Sequence, residues 1–183
     1  MYHFLPKMLP NNELRAILNY VVGGYIRLED CSEEQRVLVD DLIRQRLIGT
    51  PLAKIIGTKE FWKHRFITTK DTLDPRPDSE TLIEVVLKIC AIKPYHILDL
   101  GTGTGCLLIS LLHEYPKATG VGVDISDKAL AVAKQNVFAK DDSRATWVQS
   151  NWCQNLFGAF DIIVCNPPYI DPSEAINEGA TFD

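Results

Sequence analysis

The sequence predicts an α/β protein, a parallel sheet flanked by helices and preceded by a small helical domain. Three observations predict it. From Tyr95 onward, short apolar runs alternate with helical stretches, the pattern of a parallel sheet with helices on both faces. Before residue 80 the apolar spacing is helical instead. The first apolar run, His96 to Leu100, leads into a glycine-rich turn and then an apolar helix, Cys106 to His113.

Asn12 to Val22 carries Leu14, Ile17, Leu18, Val21 and Val22 on one helical stripe, and Gly23-Gly24 stops it. Ser32-Glu-Glu-Gln35 has the spacing of a capping box, in which hydroxyl and carboxamide each satisfy one free backbone donor. The helix behind it is expected to bury Leu38, Leu42, Ile43 and Leu47 and to end at Gly49, with Pro51 beyond. A short patterned stretch follows from Ile55 to Ile67. The two prolines of Pro75-Arg-Pro-Asp-Ser-Glu80 forbid helix there, while Asp78 or Ser79 can cap the next helix, through Leu82, Val85, Val86 and Ile89. Thr119 to Val123 reads as the second strand, and Ser126 caps a helix carrying Leu130, Ala133 and Val137. Ala145 to Gln149 and Phe160 to Cys165 are the third and fourth strands, and Asp171 to Asp183 reads as loop. The domain division expected is 1–74 and 75–183.

Composition narrows the function classes. At 183 residues, 46% hydrophobic and 23% charged, the chain is globular and long enough for a core without staples. A net charge of −5 and a pI near 5.4 argue against a protein whose main role is coating nucleic acid. The longest apolar run, Cys106 to Leu112, is broken by Ser110 and far short of the roughly 18 residues of a membrane span. No secretory pattern opens the chain. Five cysteines, at 31, 90, 106, 153 and 165, contain no C-x-x-C pair, which supports neither zinc nor a disulfide framework and suggests a reducing, cytoplasmic setting. Histidines 3, 64, 96 and 113 lack ligand spacing, so no metal is expected. Between Arg44 and Lys70 stand seven basic residues (44, 46, 54, 59, 63, 65, 70) and one acid, Glu60. That segment is either a docking surface for an anionic partner or a solvated face, and charge runs usually only solvate.

The chemistry concentrates at three strand ends. Asp99-Leu-Gly101-Thr-Gly103-Thr-Gly105 lies between a strand and a helix, where glycines let the backbone approach a ligand at a helix N-terminus. The dinucleotide fingerprint G-x-G-x-x-G does not fit, because its third glycine would fall on Cys106 or Leu108. Asp124 ends the second strand, nineteen positions after Gly105, where a carboxylate can accept both hydroxyls of a ribose. Asn166-Pro167-Pro168-Tyr169 follows the fourth strand directly. A planar amide or aromatic amine is a poor nucleophile, because its lone pair is delocalised. The Asn166 side-chain oxygen and the Pro167 carbonyl can accept from its two N–H bonds and favour the positive charge that grows on nitrogen during alkylation. Tyr169 can pack against the planar group, and the prolines keep the loop stiff.

The D-x-G-x-G-x-G turn resembles motif I of the class I S-adenosylmethionine-dependent methyltransferases, which have a Rossmann-like fold. With Pro51, Ile55, Gly57, Glu60-Phe61-Trp62 and Pro75 to Glu80, it resembles one family over nearly the whole chain, the protein-(glutamine-N5) methyltransferases of peptide-chain release factors (HemK/PrmC family). The resemblance implies methyl transfer from S-adenosylmethionine to the glutamine side-chain nitrogen of a Gly-Gly-Gln loop. It places Gly101, Thr102, Gly103, Thr104, Gly105, Asp124, Trp152 and Asn166 around the donor. Asn166, Pro167, Pro168 and Tyr169 would hold the glutamine, with Asn166, Pro167 and Tyr169 catalytic, and residues 1–74 would dock the release factor. Where the family usually has Asp before the tryptophan, this chain has Asn151, which implies weaker donor binding. Family members are longer and carry further strands, so the chain is expected to be C-terminally truncated, with four strands and Phe160 to Cys165 at an open edge. The alternatives are an amino-methyltransferase acting on RNA or DNA, and a non-catalytic fragment that retains the donor pocket. A nicotinamide-dependent oxidoreductase is disfavoured by the glycine spacing.

Overall fold

The computed structural model describes residues 8–24, 27–90, 95–138 and 142–167. The chain divides into two compact units, Met1–Pro75 and Arg76–Asp183.

The first unit is helical with a hairpin. Helix α1 (Asn11–Val22) ends where Gly23 takes a left-handed conformation, φ 75°. Helix α2 (Glu33–Leu47) begins with the capping box formed in full: Gln35 N–H donates to the Ser32 hydroxyl at 3.2 Å, and the Ser32 N–H donates to Gln35 Oε1 at 2.9 Å. Helix α3 (Leu52–Ile56) is short. Ile17, Leu18, Cys31, Val39, Leu42, Ile43 and Ile55 form the shared core. Leu38 and Leu47, expected inside, are exposed instead. They sit about a quarter-turn to either side of the Val39–Leu42–Ile43 stripe, beyond the reach of α1. Strands β1 (Thr58–Phe61) and β2 (His64–Ile67) make an antiparallel hairpin whose buried Phe61 and Phe66 rings meet edge to face at 6.1 Å.

Most of the named basic segment is engaged within this unit. Arg46 forks onto Glu13, Nε at 2.9 Å and Nη2 at 3.1 Å, tying α2 to α1. Lys54 Nζ donates to the Thr68 hydroxyl (2.8 Å), to the Thr69 and Thr72 carbonyls and to Asp74 (2.8 Å). Arg65 pairs with Glu60, and Lys63 lies over the Trp62 ring. These four cations are therefore committed to local structure.

In the second unit, strands β3 (His96–Leu100), β4 (Thr119–Asp124), β5 (Ala145–Gln149) and β6 (Ile162–Cys165) form one parallel sheet in the order β5-β4-β3-β6. A turn of 3-10 helix at Pro77–Ser79 leads into helix α4 (Glu80–Ile89), proline being tolerated in a first turn because it needs no partner there. Helices α5 (Cys106–Glu114) and α6 (Asp127–Asn136) complete the unit. The stripe buried on α4 is Ile83 and Val86, whereas Val85 and Ile89 point to solvent. Of the positions expected on α6, Leu130 and Ala133 are buried and Val137 is its half-buried C-cap.

Helices on both faces were expected, but among the described residues α4, α5 and α6 share one. Helix α4 packs on α5, α5 packs on α6, and α5 and α6 both lie on β4. The physical reason is topological. Right-handed crossovers from β3 to β4 to β5 move in one direction and so keep their helices on one side. The opposite face, built on Leu98, Leu100 and Val123, is covered by Leu156 and Phe160 from the segment between β5 and β6, which holds no helix. Strand β6 then lands on the other side of β3, so the strand order reverses between β3 and β6. Alternation along β4 serves the helical face: a Cβ at Gly120 would lie 2.4 Å from Leu108, and one at Gly122 would lie 2.3 Å from the Trp147 ring. Leu108 and the indole occupy the space that the glycines leave.

Candidate functional site

Ligands of open parallel sheets bind beyond the carboxyl ends of the strands where the order reverses. Here that point lies between β3 and β6, and the turn after β3 faces the loop after β6. A Cβ built on Gly101 would have the Pro167 Cα at 4.0 Å as its nearest neighbour.

The glycine turn is held from several sides. The N–H groups of Gly101 and Thr102 both donate to the Val123 carbonyl, at 2.9 and 2.8 Å, which fixes the turn to the end of β4. The Asn136 side chain donates to the Thr104 carbonyl at 2.9 Å from α6. Gly105 N–H closes the turn on the Thr102 carbonyl at 2.8 Å. Gly105 has φ 78°, and an added Cβ would meet Trp147 at 2.9 Å, Ile109 at 3.0 Å and Ala133 at 3.2 Å. Both conformation and space therefore require glycine there. Above the turn the space is open: nothing lies within 4 Å of a Cβ built on Gly103. Thr102 and Thr104, both expected around the donor, are buried, and the Thr102 N–H and both carbonyls are engaged within the protein.

Asp124 is half-buried at the end of β4. Its Oδ2 accepts from Gly103 N–H at 2.9 Å and its Oδ1 from Ser126 N–H at 3.0 Å. Each carboxylate oxygen has a second lone-pair site, so Asp124 is oriented by the backbone and still able to accept two hydroxyls. Ser126 also caps α6, accepting from Ala129 N–H at 3.2 Å. Ser150 N–H donates to the Asp124 carbonyl, and Trp152 follows two residues later, 57% exposed with φ 53°. An aromatic ring held outward on left-handed backbone is costly for a non-glycine residue, and such positions cluster at binding sites. Asn151 beside it is exposed as well.

Asn166 and Pro167 are half-buried at the end of β6. Asn166 Nδ2 donates to the Ser79 hydroxyl at 2.6 Å, across 87 positions of sequence. Ser79 was read as a possible helix cap, but its side chain makes no capping bond to α4. Pro168 and Tyr169 lie outside the described residues, as does the expected loop 171–183.

Two further residues were given no role of their own from sequence. Asp99, first residue of the glycine motif, is fully buried, and that burial pushes its pKa up to about 6 against the lowering effect of the Thr102 hydroxyl, which donates to Oδ2 at 2.6 Å. Among the described residues its Oδ1 has no hydrogen-bond partner within normal geometry. Ile125, directly after Asp124, is 67% exposed. A large apolar residue following a ribose-type acid is the signal that could have marked it.

Among the described residues no group of histidines, cysteines and acids could hold a metal ion. The cysteines are free thiols: Cys31 and Cys106 buried, Cys90 and Cys165 half-buried, Cys153 exposed. Among the described residues, no helix is long and apolar enough to cross a membrane.

Comparison with known proteins agrees with this geometry. Residues 60–180 match the model of the methyltransferase small domain. The release factor glutamine methyltransferase of Rhodospirillum rubrum is 36% identical over 93% of this chain and 59% of its own length. That of Caulobacter vibrioides is 38% identical over 92% of this chain and 61% of its own. A bifunctional methyltransferase of Rickettsia typhi is 38% identical over 92% of this chain and 38% of its own length. The chain thus spans no more than about three-fifths of these relatives. With its glycine turn and the Asn166-Pro167 loop facing each other across the sheet's reversal point, the chain belongs to the methyltransferase small domain family, and its relatives there are release factor glutamine methyltransferases.

Proposed function

We propose that this chain carries the donor pocket and acceptor clamp of an S-adenosylmethionine-dependent enzyme. The enzyme would methylate the side-chain nitrogen of the glutamine in the Gly-Gly-Gln motif of peptide-chain release factors. The observation that carries the reading is the approach of the Gly101 turn to the Asn166-Pro167 loop. It sets a nucleoside-type subsite and an amide-type subsite side by side.

The residues present fit such a donor. The open space over Gly103 admits a ligand against the backbone, Asp124 is oriented to accept two ribose hydroxyls, and the exposed Trp152 offers an aromatic wall for adenine. S-adenosylmethionine would supply a methyl group on a sulfonium, already an electrophile with a good leaving group. The chain's own residues do the rest. The Asn166 Oδ1 and the Pro167 carbonyl accept from the two N–H bonds of the substrate carboxamide, which orients the nitrogen lone pair and favours the charge that develops there. The N–H proton becomes acidic as nitrogen is alkylated, so none of these residues need act as a strong base beforehand. Positioning supplies most of the rate gain. Pro168 and Tyr169 are assigned to the acceptor side on the sequence pattern alone. The first unit is assigned to release-factor docking, and the cytoplasm, where release factors act, is the expected compartment.

The test is transfer of labelled methyl groups to a purified release factor and to a variant with the motif glutamine replaced by alanine. The reading expects label on the former and none on the latter. Label on RNA or DNA with none on the release factor would contradict the substrate assignment.

A further inference from the structure

We infer that Ser79 is a positioning residue for the acceptor clamp: its hydroxyl accepts from Asn166 Nδ2 and holds the carboxamide in place, with Oδ1 on the other arm. The inference rests on the proposed role of Asn166 and extends it to a residue that role does not include. Ser79 is 7% exposed, at the end of the 3-10 turn that Pro77 begins, and its own N–H is committed to the Arg76 carbonyl at 3.0 Å. It directly precedes α4 with helical backbone, φ −70° and ψ −18°, and its hydroxyl makes no bond to a first-turn amide. The hydroxyl accepts from Asn166 Nδ2, at 2.6 Å, just after β6.

The chemistry makes that contact consequential. A carboxamide has one donor arm and one acceptor arm, and rotation by half a turn exchanges them with almost no change in shape. The proposed clamp needs the acceptor arm toward the substrate, because the glutamine side-chain nitrogen presents N–H donors. A flipped Asn166 would set donor against donor and leave both unsatisfied, which is costly in a partly buried site. Anchoring Nδ2 on Ser79 leaves Oδ1 on the arm directed away from the serine. Pro77 opens the 3-10 turn that ends in Ser79, and its fixed φ stiffens the backbone that carries the hydroxyl.

The test compares wild type, Ser79→Ala and Ser79→Thr in two measurements. In methyl transfer to a release factor, Ser79→Ala is expected to lower kcat about tenfold or more while the KM for the donor stays within about twofold, and Ser79→Thr is expected to recover most of the loss. Because the hydroxyl makes no cap bond, the melting temperature of Ser79→Ala should fall by no more than a few degrees. In 15N-labelled protein, the Asn166 side-chain NH2 resonances, identified by their loss in Asn166→Asp, should shift and exchange faster with water in Ser79→Ala but not in Ser79→Thr. An unchanged kcat in Ser79→Ala, or an unmoved Asn166 NH2 pair, overturns the inference. If wild type transfers no methyl group to any release factor, the function proposed above fails. The NH2 resonances then decide the Ser79 contact by themselves.

Discussion

Replacing Asp99 by asparagine isolates a carboxylate that the fold holds 1% exposed, the most buried among the described residues. Burial raises its pKa from 3.8 to about 6, with the nearby Asp124 charge adding a little and the Thr102 hydroxyl and Leu108 amide opposing. The sign follows from linkage. A carboxyl whose folded pKa lies above its unfolded value favours folding when protonated, and that advantage is lost as pH rises from about 4 through about 6. A shift of about two pKa units corresponds to roughly 3 kcal/mol. Most of it, about 2 kcal/mol, falls between pH 4 and pH 8 by the same relation. The assay is urea unfolding of wild type and Asp99→Asn at several pH values, read as the difference in unfolding free energy. Asparagine can still accept from Thr102 but cannot ionise, so the variant should gain on wild type by about that amount from pH 4 to pH 8. The absolute offset is not the readout, because the side-chain NH2 introduced by the substitution can clash with the Leu108 N–H. A difference that stays flat with pH, or that moves in wild type's favour at high pH, would refute the assignment of a raised pKa to Asp99.

Further predictions come from the contacts that support the site. Gly105→Ala places a methyl 2.9 Å from Trp147 on backbone at φ 78° and should cost about 2–4 kcal/mol in thermal or urea unfolding. Arg144 donates to the carbonyls of Leu112 (2.9 Å), Tyr115 (3.2 Å) and Ala118 (2.9 Å), closing the end of α5. Arg144→Met should therefore cost about 2–3 kcal/mol, and circular dichroism melts would show it as a lower midpoint. Asn151→Asp adds a charged acceptor beside the exposed Trp152, so calorimetry should find tighter donor binding by severalfold. An unchanged dissociation constant would remove Asn151 from the donor site.

How legible the molecule was in its sequence depended on range. The Ser32–Gln35 box and the Ser126 cap form as read, since each uses residues three apart. The strand ends carrying Gly101, Asp124 and Asn166 were also readable, because a parallel sheet puts successive strand ends on one side. The β1–β2 hairpin escaped, its four-residue strands being too short for period-two alternation to stand out around Phe61 and Phe66. Trp147 looked like any strand aromatic. Only the structure shows its ring packed against Gly105 and Gly122, where it supports the glycine turn. The basic run from Arg44 to Lys70 was ambiguous as charge, and the partners of Arg46, Lys54, Lys63 and Arg65 resolve most of it into local structure. Ser79 could be seen only as a cap, because its partner stands 87 positions away, just after β6. The one-sided placement of the helices among the described residues was missed for a related reason: alternation along the chain predicts crossovers but does not say where the sheet order reverses.

Binding of S-adenosylhomocysteine to the purified 183-residue chain by calorimetry tests most directly whether the ends of β3, β4 and β6 form a donor pocket. A single site is expected, with Asp124→Ala weakening it at least tenfold as two oriented hydrogen-bond acceptors are lost. No heat of binding in a chain that melts cooperatively, or binding that Asp124→Ala leaves unchanged, would contradict the pocket.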